Sequence, residues 1–210
     1  YPTRQKVIDY LTEYQIDFNI NPIFNTEAKL LKKEGDYWIT ETTNGTFKSK
    51  YIIVATGPFG KPKAIYFKGM DTFPGKILHS YGYKTGKDFK GLNVLVVGFG
   101  NSACEIAIDL YEQGAYPSMS VRSPVNVIPR DILGIGDITK VGLKKLPYGP
   151  LEQIYKDGTV PLLDVGTIKH IREGHIKIQD NIDYISGKTV YFTDEKKENF
   201  DAIVAGIGYY

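Results

Sequence analysis

Asn93-Val94-Leu95-Val96-Val97-Gly98-Phe99-Gly100-Asn101-Ser102-Ala103 decides the fold. Five residues, the last four apolar, run straight into G-x-G-x-x-A, and a helical pattern follows over residues 101–113. The pattern G-x-G-x-x-G/A alone is weak, but between an apolar strand and a helix start it has the context that dinucleotide binding requires. Gly98 permits the tight turn. Gly100 has no Cβ, so a pyrophosphate can approach the backbone, and Ala103 is small enough for helix and strand to pack closely. The diphosphate then meets free N–H groups and the positive end of the helix dipole, with Asn101 and Ser102 available for side-chain hydrogen bonds.

The residues after the next strand, read at Met119-Ser120-Val121, decide the coenzyme. An NAD site places a carboxylate about 20 positions after the first glycine, to accept from the ribose 2′-hydroxyl. Here the strand ends in Arg122-Ser123. A guanidinium pairs with a 2′-phosphate, which a carboxylate would repel, so NADPH is expected rather than NADH.

Outward from this centre, a 3.6-type spacing of Val7, Ile8, Leu11 and Tyr14 predicts a helix over residues 3–14. Strand patterns are read at 17–20, 28–32, 37–42 and 46–49, the last two joined at Asn44-Gly45. The run Tyr51-Ile52-Ile53-Val54-Ala55 reads as a buried parallel strand ending in Thr56-Gly57. A Gly-, Pro- and Lys-rich stretch over 57–75 reads as a domain junction. Short meander strands are expected at 176–178, 184–185 and 190–192, and a closing strand at 202–205. Residues 50–57 align with 201–208, so the two halves echo each other. A fingerprint matching the first half would lie before Tyr1, and the chain is read as part of a longer one. The predicted class is α/β, a two-dinucleotide-binding-domain, Rossmann-like architecture with small β-meanders. Residues 75–210 are assigned to an NADPH-binding domain, and residues 1–74, on the family resemblance set out below, to the C-terminal part of an FAD-binding domain.

Composition narrows the class. The chain has 210 residues, a formal net charge of +2 and one cysteine, Cys104. That charge balance excludes a strongly basic nucleic-acid stripe. No run of 18 apolar residues is present, and no apolar leader follows Tyr1-Pro2-Thr3, so neither a membrane span nor a signal peptide is expected. A single cysteine makes no internal disulfide and no CxxC pair; a reducing, cytoplasmic setting is the expectation. Cys104 reads as an apolar filler. His170 and His175 lack partners at ligand spacing and are assigned to surface or loops, with no metal site expected.

Several segments together resemble the class B flavin-containing monooxygenases. Phe73-x-Gly75-x-x-x-His79-x-x-x-Tyr83 is similar to that family's FxGxxxHxxxW element, with Tyr for Trp. Gly98–Glu105, Ile53–Gly57 and Ile207-Gly208-Tyr209 correspond to its second nucleotide motif, its strand-to-linker motif and its closing ATGY, the last departing in Gly206-Ile207. Within the family the likeness is to YUCCA-type plant enzymes and their bacterial relatives, through His79-Ser80, Val127-Ile128-Pro129-Arg130, Gly149-Pro150-Leu151-Glu152 and residues 163–168. Two departures stand out: the first Gly-rich motif is absent, and residues 133–137 look compressed.

The resemblance implies that NADPH reduces FAD and that a C4a-peroxyflavin formed with molecular oxygen oxygenates a small organic substrate. It implies that Gly98, Gly100, Asn101, Ser102 and Ala103 hold the pyrophosphate, and Arg122 and Ser123 the 2′-phosphate. His79 and Ser80 would face the nicotinamide side, and Thr56 and Gly57 the flavin. Alternatives are a flavoprotein oxidoreductase without oxygenation, a disulfide reductase (short of a cysteine pair here), and a truncated, non-catalytic NADP-binding module. A homodimer is left open.

Overall fold

Along β5 (Asn93–Val97) the side chains point alternately to two different apolar layers. Val94 and Val96 face α2 (Asn101–Glu112), where they pack among Ala107, Leu110 and Cys104. Leu95 and Val97 face Ile185, Val190, Phe192 and Phe200 on the opposite side. A strand covered on both faces has no solvent side to keep polar, which is why its sequence is a continuous aliphatic run.

The computed structural model describes residues 2–57, 60–129 and 136–210. Arg130 and residues 133–135, singled out in the sequence, lie outside the described residues. The chain parts into two compact units, residues 1–56 and 57–210.

In the first unit, α1 (Arg4–Asp17) starts at Thr3, whose hydroxyl accepts from the Lys6 amide at 3.3 Å. A β-meander follows: β1 (Ala28–Glu34), β2 (Tyr37–Thr42) and β3 (Gly45–Ser49), paired antiparallel in that order. Thr42 pairs with Gly45, so the hairpin loop is Thr43-Asn44, and Gly45 takes φ +122°. Two expectations fail here. Residues 17–20 form no strand, because α1 runs through Asp17 and Asn19 then turns left-handed at φ +49°. Residues 51–55 form no strand either: Ile53 is 89% exposed, and no described strand lies beside the run to supply a hydrogen-bonding ladder.

The second unit centres on a five-stranded parallel sheet. Its remaining strands are β4 (Lys76–His79), β6 (Tyr116–Ser120), β9 (Lys177–Gln179) and β13 (Ala202–Ala205), in the order β4-β13-β5-β6-β9. β10 (Ile182–Ser186), β11 (Thr189–Phe192) and β12 (Lys197–Asn199) form the antiparallel meander that covers the Leu95 face. β7 (Val127–Pro129) pairs in parallel with β8 (Leu162–Asp164) outside the main sheet. Two short helices, α3 (Pro150–Asp157) and α4 (Thr167–Arg172), complete the unit. The stretch 176–178 is not a meander strand as expected. β9 extends the parallel sheet at its edge, because Ile176 and Ile178, two apart, both fall into the layer beneath α2.

Candidate functional site

The turn between β5 and α2 is shaped by two close backbone approaches. Gly98 has φ +112°, and a Cβ there would lie 2.5 Å from the Gly206 carbonyl oxygen. Gly206, just past β13, is held by its N–H to the Val97 carbonyl at 2.8 Å, and a Cβ on it would lie 2.8 Å from the Ala103 methyl. Gly98, Ala103 and Gly206 are thus one packing unit that lets the first turn of α2 sit directly on two strand ends. Gly100 is different. A Cβ added to it meets nothing within 4 Å, so the space over it is open.

Gly100 is the N-cap of α2 and has no side chain to cap with. The first bond of the helix is Cys104 N–H to Gly100 C=O at 3.0 Å, so the amides of Asn101, Ser102 and Ala103 are its uncommitted donors. An anion placed there would meet them with the helix dipole in its favour. The Asn101 side chain is engaged elsewhere: its Oδ1 accepts from the Leu163 amide at 3.1 Å and ties β8 to the turn. Ser102 is exposed.

A cleft of about 650 Å³ opens over this turn. Gly98 and Gly100 line it together with Arg122 and Ser123, which leave the end of β6, and Gly206. The sequence reading missed Lys63, which also lines it, because it sits in a stretch that read only as a junction. Among the described residues, no aspartate or glutamate lines the cleft. Arg122 and Lys63 make no ion pair or side-chain hydrogen bond among the described residues. Two unneutralised cations beside uncommitted amides form a site for a polyanion. The residues present fit a dinucleotide carrying an extra phosphate.

His79 and Ser80 do not line that cleft. His79 Nδ1 accepts the Tyr81 amide at 3.1 Å, so the ring proton resides on Nε2, which donates to the Gly208 carbonyl at 3.0 Å. Ser80 Oγ lies 3.4 Å from the same Nδ1. The rest of the element is equally structural. A Cβ on Gly75 would lie 2.1 Å from the Asp201 carbonyl oxygen, and Phe73 is buried. The Tyr83 hydroxyl donates to Asp109 at 2.6 Å, where burial, and then the carboxylate, drive its pKa well above the ordinary tyrosine value. Phe73, Gly75, His79 and Tyr83 therefore act as a strap that fastens β4 and the following turns to the strand ends and α2. Thr56 closes the first unit and Gly57 opens the second; both are exposed, and Gly57 has φ +68°, as its counterpart Gly208 has +83°. No second glycine-rich strand-to-helix turn occurs among the described residues, so they show no cradle for a flavin diphosphate.

Cys104 is fully buried, and burial pushes its thiol up to about 12. It is an inert filler, as read from the sequence. His170 and His175, read from the sequence as lacking partners, are brought together by the fold: their Nδ1 atoms lie 3.2 Å from each other.

A parallel sheet whose central strand β5 opens through a glycine turn into a helix, with free amides and cations above it, defines a dinucleotide-binding protein of the Rossmann-like class. Its comparison with known families is specific. The pyridine nucleotide-disulphide oxidoreductase family matches residues 1–209, and the chain belongs to it.

The chain is 36% identical over 247 residues to indole-3-pyruvate monooxygenase YUCCA6 of Arabidopsis thaliana, covering 100% of this chain and 59% of that protein. It is 32% identical over 242 residues to indole-3-pyruvate monooxygenase YUCCA1 of Oryza sativa, covering 100% of this chain and 60% of the relative. The chain thus spans about three-fifths of the length of these relatives, and both aligned spans exceed its 210 residues. Among solved structures, a flavin-containing monooxygenase from Stenotrophomonas maltophilia superposes with a TM-score of 0.74 at 20% identity, over 100% of this chain and 58% of that one. Bacillithiol disulfide reductase Bdr from Bacillus cereus superposes with a TM-score of 0.69 at 21% identity, over 100% and 57%. These likenesses show the shared flavoprotein fold. No helix among the described residues is long and apolar enough to cross a membrane.

Proposed function

We propose that this chain forms the NADPH-binding part of a flavin-dependent monooxygenase that oxygenates a small organic substrate. The observation that carries the reading is the open space over Gly100, flanked by the free amides of α2 and by Arg122 and Lys63, with no carboxylate among the described residues that line the cleft. Residues 75–210 would make up most of the NADPH domain and residues 1–74 the C-terminal part of the FAD domain. The amides of 101–103 hold the diphosphate, and Arg122, with Ser123 beside it, selects the 2′-phosphate. Lys63 adds charge to the same cleft. His79 is a positioning residue: through Gly208 it fixes the loop that closes the strand ends, and Ser80 supports its ring. The flavin, when bound, supplies the redox chemistry and the reaction with oxygen. The contribution of residues 57–210 is to bind and orient the coenzyme that delivers the electrons.

The monooxygenase assignment rests on the YUCCA relatives, at 32–36% identity across the whole chain. The substrate in their names, indole-3-pyruvate, makes a 2-oxo acid the class to assay first. Disulfide reduction finds no support in these residues, whose one cysteine is buried with a raised pKa. The test is oxygen uptake by the flavin-loaded monooxygenase of which this chain would be a part, supplied with NADPH and indole-3-pyruvate. Uptake coupled to loss of the keto acid supports the proposal. NADPH oxidation that leaves a panel of keto acids, amines and sulfides unchanged indicates an oxidoreductase without oxygenation and overturns it.

A further inference from the structure

The C-terminal end of α4 folds back on itself through one left-handed residue. Gly174 has φ +75°, and the amides of His175 and Ile176 both bond to the His170 carbonyl, at 2.9 and 3.3 Å. This closure brings His170, Glu173 and His175 to one spot. The His170 and His175 Nδ1 atoms are 3.2 Å apart, and Glu173 Oε2 lies 3.3 Å from His175 Nδ1. One ligand atom from each residue falls within 4.8 Å of the others. Two ligands bound at about 2.0–2.1 Å to one tetrahedral ion are separated by ~3.3 Å, so two of the three separations already match a metal's coordination edge. The rings are also held in place. Tyr111 on α2 stacks on His175, with centroids 4.2 Å apart at 15°, and its ring centroid lies 5.1 Å from that of His170. Such fixing of ring orientation is what outer groups do at metal sites.

We propose that His170, Glu173 and His175 bind one divalent transition-metal ion of the zinc, nickel or copper class, clamping the end of α4 to the start of β9. Two imidazoles and a carboxylate suit these ions and not calcium or magnesium, which take all-oxygen sets. Three protein ligands leave a fourth position for water. Glu173 is exposed, so the ion has an entry path; its Oε1 lies 3.9 Å from the exposed Lys169 amine, a contact weak enough to yield. The site lies apart from the nucleotide cleft, whose lining includes none of these residues.

The test is calorimetric titration of the whole chain with Zn²⁺ alone, after dialysis against chelator. One ion per chain is expected, with affinity falling roughly tenfold or more in His170→Ala, His175→Gln and Glu173→Gln, and unchanged in His79→Gln, the chain's third histidine. Circular dichroism keeps loss of folding distinct from loss of ligand. Electron paramagnetic resonance of the unmutated chain with one equivalent of Cu²⁺ adds a reading that needs no variant, and should show coupling to two imidazole nitrogens. Folded variants that bind Zn²⁺ as the parent does overturn the proposal. So does a copper spectrum without two coupled nitrogens, or a parent that takes up no stoichiometric zinc, which would leave a histidine–histidine hydrogen bond as the cluster's whole content.

Discussion

Gly98 and Gly100 are two residues apart and of the same type, yet they are glycines for opposite reasons. Gly98 is forced: its φ of +112° and the Gly206 carbonyl 2.5 Å from a Cβ there leave no room for a side chain. Gly100 has ordinary extended backbone, φ −93° and ψ 175°, with open space above it. Gly98→Ala should therefore lower stability by about 1–3 kcal/mol, read from denaturant midpoints. Gly100→Val should leave the melting transition nearly unchanged while its methyls fill the path of the diphosphate, removing NADP⁺ binding by calorimetry. Retained affinity in Gly100→Val would mean that the nucleotide sits elsewhere. Arg122 makes the companion case. It is exposed and has no intramolecular partner among the described residues, so Arg122→Ala costs the fold little. A charge-assisted bond to the 2′-phosphate is worth about 1.5–3 kcal/mol, so NADP⁺ affinity should drop roughly 10- to 150-fold while NAD⁺ affinity stays put. Equal losses for the two coenzymes would refute the assignment.

Elements behave as their packing partners dictate, and the strap from Phe73 to Tyr83 shows it. The family resemblance, carried by a spaced Phe, Gly, His and aromatic ring, placed His79 and Ser80 of this element on the nicotinamide side, in structural and cofactor-orienting roles. The spacing was legible, but the partners were not, since Asp201, Gly208 and Asp109 lie 26 to 129 positions away from the residues they meet. Tyr83 stands where the resembling family has Trp, and its hydroxyl shares the Asp109 carboxylate with the Gly86 amide, at 2.6 and 2.7 Å. Tyr83→Phe keeps the ring stacked on Phe89 but removes one of these bonds, and should cost about 1 kcal/mol in denaturant unfolding with NADP⁺ affinity unaltered. Gly206 yields to the same kind of account. Gly206-Ile207 stands where the resembling family closes with Ala-Thr, and in this chain the Ala103 methyl already fills the space a Cβ on residue 206 would need. Gly206→Ala alone should destabilise by about 1–3 kcal/mol through overpacking, and Ala103→Gly in the same chain should recover much of the loss. The coupling from the four-member cycle is the measurement, and additive effects would show that the two do not share one space.

At the scale of the molecule, the halves that echo each other in sequence differ in what surrounds them. Residues 202–205 lie between β4 and β5 and are buried; residues 51–54, their counterparts, have no strand beside them, and Ile53 and Val54 are 89% and 68% exposed. An aliphatic run encodes a wish to be covered, not the cover itself, so the sequence reading was right about the second run and wrong about the first. The same logic divides the two units. No described residue of 1–56 is fully buried, whereas the second unit holds both apolar layers around its parallel sheet. Stability in a small domain comes from such burial set against chain entropy. Every described residue lining the cleft over Gly100 also belongs to the second unit. Residues 57–210 expressed alone should therefore unfold in one cooperative transition and bind NADP⁺ within about twofold of the whole chain. Residues 1–56 alone should give a broad, weak transition and poorly protected amides in hydrogen exchange. A second unit that melts without cooperativity would show that its core, or its coenzyme site, depends on residues of the first.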